Sequence, residues 1–246
     1  MHFCELGSKP LRKRSCLLIL TSLLLAILSM PEEAKGKGSS LFEPTFTYVN
    51  GSTTSAGKAW CAKLANGRVV AVTALHLLGP DGGLPQQIPA PKASSMVKRV
   101  DFCTIGGAKQ FSSTKVLTRT GSVDTSGLDH SGDVLFFEVN QDLASCAFGL
   151  AGKLPKLKDP VWVYTSTSGG QPQSYPAVVT GASNQMLIVQ LYKPIALRAC
   201  SGSPVLDKQG KVVGLLNAGF EGTGKLMCNP STSILARINN DLKSAR

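Results

Sequence analysis

The chain has 246 residues, a formal charge of +11, 43% hydrophobic and 17% charged residues. That length suits one large domain or two small ones with a real core. Glycine follows no triplet period and apolar residues are plentiful, which excludes a collagen, a coiled coil and a wholly disordered protein. A single long apolar run excludes a multi-span membrane protein. The seven cysteines and three histidines show no paired metal-ligand spacing, so no metal or organic cofactor is expected.

The N-terminus reads as a targeting segment. Lys9, Arg12, Lys13 and Arg14 precede the apolar run CLLILTSLLLAILSM over 16–30. Positive residues followed by such a run form the first two regions of a secretory signal. A helix of that length spans roughly 22 Å, short of the ~30 Å hydrocarbon core. Residues 1–34 are therefore expected to be a cleaved signal, with a retained anchor over 16–30 as the second reading. Either would place the body in a secreted, periplasmic or membrane-anchored setting. Residues 35–41 close the Gly/Ser/Lys-rich stretch PEEAKGKGSSL and read as a linker. Without residues 1–34 the chain keeps about +10, so its basic character belongs to the body. No dense Lys/Arg cluster is interleaved with aromatics there, and no nucleic-acid partner is expected.

From Phe42 onward, short β-branched runs alternate with turn residues. They include RVVAVT over 68–73, VLFFEV over 134–139, VWVY over 161–164, MLIVQL over 186–191 and KVVGLL over 211–216. Such spacing predicts an all-β sandwich or barrel. Asn66-Gly67 and Gln209-Gly210 each sit between two runs and predict hairpins. Ile234, Leu235, Ile238 and Leu242 recur at helical intervals, predicting one helix over 233–243 that covers an open barrel end. The stretch GPDGGLPQQIPAPK over 79–92 reads as a long Pro/Gly-rich loop. A midpoint near 152–160 divides the body into halves of 42–152 and 153–246. The expected architecture is two small antiparallel β-barrels sharing a cleft, with a C-terminal helix.

Three side chains carry candidate chemistry. Hydrolysis by a serine needs a base for the hydroxyl proton, an acid to orient that base, and backbone N–H groups for the developing oxyanion. In RACSGSPV over 198–205, small residues follow Ser201, so a tight turn can expose its hydroxyl. His76 lies just past the apolar strand VVAVTAL, at a rim. Asp133 opens VLFFEV, where it can be drawn inside. Taken singly, His76 also reads as a surface histidine and Asp133 as a turn cap. Asp124 and Asp129 are weaker alternatives for the acid, and Cys200 is a weaker alternative for the nucleophile.

Together these patterns resemble the chymotrypsin-like (trypsin-like) serine peptidases, in a bacterial exported form. The stretch GKAWCAKLANGRVVAVTALHL over 57–77 is similar to the family's first hairpin and its Thr-Ala-x-His motif, here Thr73, Ala74 and His76. Asp133-Val134-Leu135 resembles the Asp-plus-strand motif. Ser201-Gly202-Ser203-Pro204-Val205 resembles the Ser-Gly-Gly/Ser-Pro-Val block, followed by Gly210, Val212, Val213 and Gly214. The resemblance covers roughly residues 53–238 and implies two six-stranded-type β-barrels. It implies a serine endopeptidase acting on polypeptides through an acyl-enzyme. Ser201 is then the nucleophile, His76 the base and Asp133 its orienting acid. The N–H groups of Ala199 and Ser201 form the oxyanion hole, and Asn217, Ala218 and Gly219 pair substrate backbone.

Some positions depart from the pattern. Ala199 stands where the family usually has Gly, because that residue adopts a conformation costly for any side chain. Ile195 stands where trypsins carry an acidic specificity residue, so the resemblance implies a medium apolar rather than a Lys/Arg preference, with Ile195 and Arg198 counted among the substrate-binding residues. Cys200 replaces the Asp that animal digestive members use in zymogen activation. The resemblance also implies a Cys200–Cys228 disulfide, leaving Cys61, Cys103 and Cys146. Two alternatives stay open. One is an inactive protease-like binding module, with Ala199 spoiling the oxyanion hole. The other is a viral polyprotein-processing peptidase of the same fold.

Overall fold

The computed structural model describes residues 41–167 and 170–244. The expected signal or anchor over 1–34 lies outside the described residues. Leu41, drawn above as the end of the linker, instead opens the first strand.

The first half holds β1 (Leu41–Tyr48), β2 (Thr53–Ser55), β3 (Ala59–Lys63), β4 (Val69–Thr73), helix α1 (Ala90–Met96), β5 (Val97–Thr104), β6 (Lys109–Ser113), β7 (Leu135–Glu138) and β8 (Phe148–Gly149). The second holds β9 (Pro160–Thr165), β10 (Gln173–Ala182), β11 (Leu187–Leu191), β12 (Pro204–Leu206), β13 (Val212–Gly219), β14 (Lys225–Pro230) and helix α2 (Ser231–Lys243). All five β-branched runs became strands. Both hairpins formed, with Gly67 and Gly210 at φ +81 and +72, a region open to glycine at no steric cost. Strands β1 and β10 carry internal prolines, Pro44 and Pro176. The stretch over 79–92 is less irregular than expected. It holds a 3-10 turn at Pro80–Gly82 and the start of α1, whose Pro91 falls in the first turn, where a missing N–H costs nothing.

The second half is a closed barrel in the order β10-β11-β14-β13-β12-β9. The first half runs β6-β5-β1-β3-β4-β7, with β2 on β1 and β8 parallel to β3. Its end strands do not pair as strands. The chain just beyond β6 closes the gap instead: Val116 bridges Phe137, the Leu117 N–H donates to Phe136 O at 2.9 Å, and the Glu138 N–H to Lys115 O at 3.0 Å.

The first sheet has an aromatic core. Phe102 stacks on Phe111 with centroids 4.5 Å apart, while Phe42 meets Phe111 and Phe137 meets Phe102 edge-on. Such pairs add to plain area burial. The closed barrel is filled by aliphatics, among them Val161, Val163, Val179, Leu187, Val189 and Val205. Helix α2 does not simply plug a barrel end. Ile234 and Ile238, one turn apart, join the first sheet's cluster through Leu206, Val212 and Leu215. Near its end, buried Asp241 accepts the Arg119 N–H at 2.8 Å, the Thr120 N–H at 3.3 Å and the Thr120 hydroxyl at 2.8 Å. The C-terminal helix is thereby pinned across both halves. Asp241→Ala leaves those donors without their acceptor and is expected to cost about 3 kcal/mol, measured as a shift in the urea midpoint at unchanged m-value.

Candidate functional site

Strand β4 ends at Thr73 and passes into a 3-10 turn, Leu75–Leu78, that carries His76. Asp133 lies just before β7, its N–H donating to His130 O at 3.1 Å. Because β4 and β7 are neighbours, both residues reach the same rim. His76 Nδ1 meets Asp133 Oδ2 at 2.7 Å, and the His76 backbone N–H donates to Asp133 Oδ1 at 2.9 Å. A carboxylate only accepts, so the ring proton is assigned to Nδ1 and Nε2 carries the lone pair. Both groups are almost wholly buried. Burial opposes the carboxylate of Asp133, but the hydrogen bonds and charge of His76 hold it below the usual carboxylate range. Burial likewise opposes the imidazolium, yet the Asp133 hydrogen bond and charge, with Asp81 behind them, hold His76 above its ordinary value.

Ser201 sits on the loop before β12, locked to the first sheet by backbone. The Lys58 N–H donates to Ser201 O at 2.7 Å, and the Thr73 hydroxyl holds Lys58 O at 2.6 Å. The approach is close enough to demand glycine. At Gly202, with φ +88, a Cβ would lie 2.0 Å from Lys58 O. On the other side, Gly202 N–H donates to Leu216 O and Leu216 N–H to Ser203 O. The Ser201 hydroxyl donates to Asn217 O at 3.3 Å, a long hydrogen bond. Among the described residues, no hydrogen bond joins Ser201 to His76.

Asn217 connects the two groups. Strand β13 shifts register against β14 between Leu216 and Ala218, so Asn217 is the extra residue of a bulge. A bulge re-aims its side chain. Asn217 Nδ2 donates to Asp133 O at 2.8 Å, and Oδ1 accepts the Asn229 N–H at 2.7 Å. The resemblance implies substrate pairing through the Asn217 backbone. The side chain also turns inward and bridges the sheets.

Ala199 has φ +60. The methyl-bearing residue thus adopts the left-handed conformation that the family normally assigns to glycine. Among the described residues, the Ala199 and Ser201 N–H groups donate to no partner, whereas the Cys200 N–H between them donates to Leu197 O. A small cavity of about 30 Å³ adjoins Ser201, lined by Leu197, Leu216, Ala218 and Gly219. A Cβ on Gly219 would lie 2.6 Å from Leu197 Cδ1, so leucine fills the space glycine leaves open.

No family model matches the chain, and no curated protein matches it. Solved structures do. The active form of the Rv3671c protease from M. tuberculosis superposes with a TM-score of 0.55 at 14% identity, over 97% of this chain and 92% of that one. The HtrA-type protease AlgW with tripeptide gives 0.59 at 12% identity, over 89% and 65%. A serine endoprotease from Yersinia pestis gives 0.58 at 10% identity, over 89% and 68%. The fold is that of the chymotrypsin-like serine peptidases.

Two expectations are corrected on this fold. The Cys200–Cys228 disulfide is absent, and both are free, buried thiols. Cys228 points into the barrel against Gly214, while Cys200 Sγ faces the carbonyls of Ala196, Arg198 and Ser166. Burial raises the Cys200 thiol pKa, which disfavours the thiolate a nucleophile needs. The pocket wall expected at Ile195 belongs to Leu197 instead. Ile195 packs half-buried against the barrel cluster, and Arg198 is exposed beyond the lining. Asp124, the weaker acid, is spent on its own loop, accepting from Ser126, Leu128 and Asp129. Among the described residues, no cluster of three His, Cys, Asp or Glu side chains suits a metal ion.

The left-handed strain at residue 199 is about 1–2 kcal/mol for a side chain, and glycine's extra unfolded-state freedom offsets up to ~1 kcal/mol of any relief. Ala199→Gly is therefore expected to raise the thermal midpoint by about 2–4 °C per kcal/mol gained, whereas Ala199→Val lowers it, both read by calorimetry.

Proposed function

We propose that the chain is a serine endopeptidase working through Ser201, His76 and Asp133. The observation that carries this reading is the buried His76–Asp133 pair, tied through Asn217 to the Ser201 loop on the other sheet. The Ser201 hydroxyl leaves its weak bond to Asn217 O and turns to His76 Nε2. His76 takes the proton as Oγ attacks the scissile carbonyl. The charge gained by the ring is met by Asp133, which already holds Nδ1–H. The tetrahedral oxyanion receives the N–H groups of Ala199 and Ser201, each such donor typically contributing about 3–4 kcal/mol of barrier lowering. His76 then protonates the departing amine, and water repeats the sequence on the acyl-enzyme.

The substrate is an extended polypeptide. Strand β12 pairs with β13 only as far as Leu215, leaving the flank of Asn217–Gly219 open for an added strand. The cavity of about 30 Å³ favours a small apolar side chain before the scissile bond. Export belongs to the same reading, through the basic residues 9–14 and the apolar run over 16–30. On the side of an inactive binding module stand the Ser201–Asn217 bond, with no Ser201–His76 hydrogen bond among the described residues, and the side chain at Ala199.

A fluorophosphonate probe separates the two. Wild-type protein is expected to be labelled and Ser201→Ala not, while Asp133→Asn lowers kcat by about 10⁴-fold. Well-folded wild type that takes no label would overturn the enzyme reading. The pH dependence is a second check. Only neutral His76 accepts the proton, and its pKa lies above the ordinary 6.5. Hence kcat/KM is expected to rise with pH through one ionisation above 6.5, lost toward acid as the ring is protonated in advance.

A further inference from the structure

The connection between the two sheets reads LAGKLPKLKD over 150–159. It closes in a tight turn, with the Asp159 N–H donating to Lys156 O at 3.1 Å and Lys158 at φ +68. Leu157 stands at the tip, 64% exposed. Beside it a cavity of about 660 Å³ separates this connection from the loop after β12. Lys153 and Lys156 line one wall, Lys208 and Lys211 the other, with Lys158 beside Leu157 on the turn. All five lysines are exposed, and none forms an ion pair among the described residues. The two acids there are turned onto their own backbone. Asp159 accepts the Lys156 N–H at 2.7 Å, and Asp207 accepts the Gln209 and Lys211 N–H groups, each at 2.9 Å.

We propose that this face docks on an anionic lipid bilayer, with Leu157 entering the interface and the lysines meeting the headgroups. A soluble anion would use the cations and leave the leucine in water. A bilayer satisfies both, because apolar contact and basic charge add at a membrane surface. Lysine stems also lie along the apolar boundary while their ammonium groups stay wet. The chain's own course agrees. Leu41 pairs with Trp60, three residues or roughly 10 Å before Lys63, and Lys63 pairs with Gly149, where this connection begins. The ten residues over 31–40 reach at most ~35 Å, so an apolar run over 16–30 that entered a bilayer would hold the body within reach of its surface.

The test uses the full chain carrying Leu157→Trp, mixed with vesicles whose acyl chains are brominated. Trp60 and Trp162 are buried, so wild type supplies the background. With phosphatidylglycerol vesicles, the added tryptophan is expected to shift blue and be quenched. With phosphatidylcholine vesicles it should not, even where the apolar run inserts. Lys156→Glu with Lys208→Glu should weaken the vesicle affinity read from the quenching by roughly fivefold or more per charge, since each basic residue is worth ~1 kcal/mol at such a surface, as should 0.5 M salt. Unchanged buried-tryptophan emission in each variant confirms folding. Emission at position 157 that is indifferent to phosphatidylglycerol would overturn the proposal. Tight binding of soluble polyphosphate that leaves this tryptophan in water when vesicles are present would overturn it too.

Discussion

Asp133 is a carboxylate buried beneath the surface with both oxygens taken up by one residue. One accepts the backbone N–H of His76 and the other the ring Nδ1–H. Backbone and side chain are captured together, so the imidazole has neither rotational nor tautomeric freedom. An isolated charge at that depth would be prohibitively unstable. The pair survives because β4 and β7 are adjacent and deliver donor and acceptor to one rim. The rest of the site is arranged around the single free nitrogen this contact leaves.

That nitrogen is useful only if the other sheet is held in register. Three connections do so. Gly57–Lys58 and Ser201–Gly202 meet backbone to backbone, at a separation that leaves no room for a Cβ. Asn217 reaches from a bulge in β13 to the carbonyl of Asp133. Asp241 ties α2 to residues 119–120. Each is a directional polar contact protected from water, which resists sliding better than apolar packing alone. The long Ser201–Asn217 bond is the loosest member of the network, and under the proposed mechanism it is the one that yields for the hydroxyl to reach His76.

The same folding that gathers the site also sorts charge. Lys153, Lys156 and Lys158 come from the connection between the sheets, and Lys208 and Lys211 from a hairpin fifty residues later. Along the chain they form no dense cluster. In space Lys153, Lys156, Lys208 and Lys211 line one cavity, and Lys158 and the exposed Leu157 follow on the adjoining turn. Net charge therefore says that a basic body exists, and only the fold says where its basic face lies.

Local chemistry made much of this legible in advance. Runs such as MLIVQL declare strands because they are short, apolar and β-branched between turn residues, and Asn66-Gly67 declares a hairpin because both residues tolerate positive φ. His76, Asp133 and Ser201 stand out because each lies beside a strand of that kind and within a family-like motif. The sequence by itself thus determined the all-β character and the C-terminal helix, and it singled out the three residues on which the chemistry is proposed to rest. Only tertiary structure decided that the first sheet closes through residues 115–117 rather than through paired end strands. Only it placed Leu197, not Ile195, in the pocket, left Cys200 and Cys228 as separate thiols, and turned Asn217 inward. These outcomes depend on contacts between segments far apart in the chain, where register, bulges and side-chain direction are set by packing rather than by neighbouring residues.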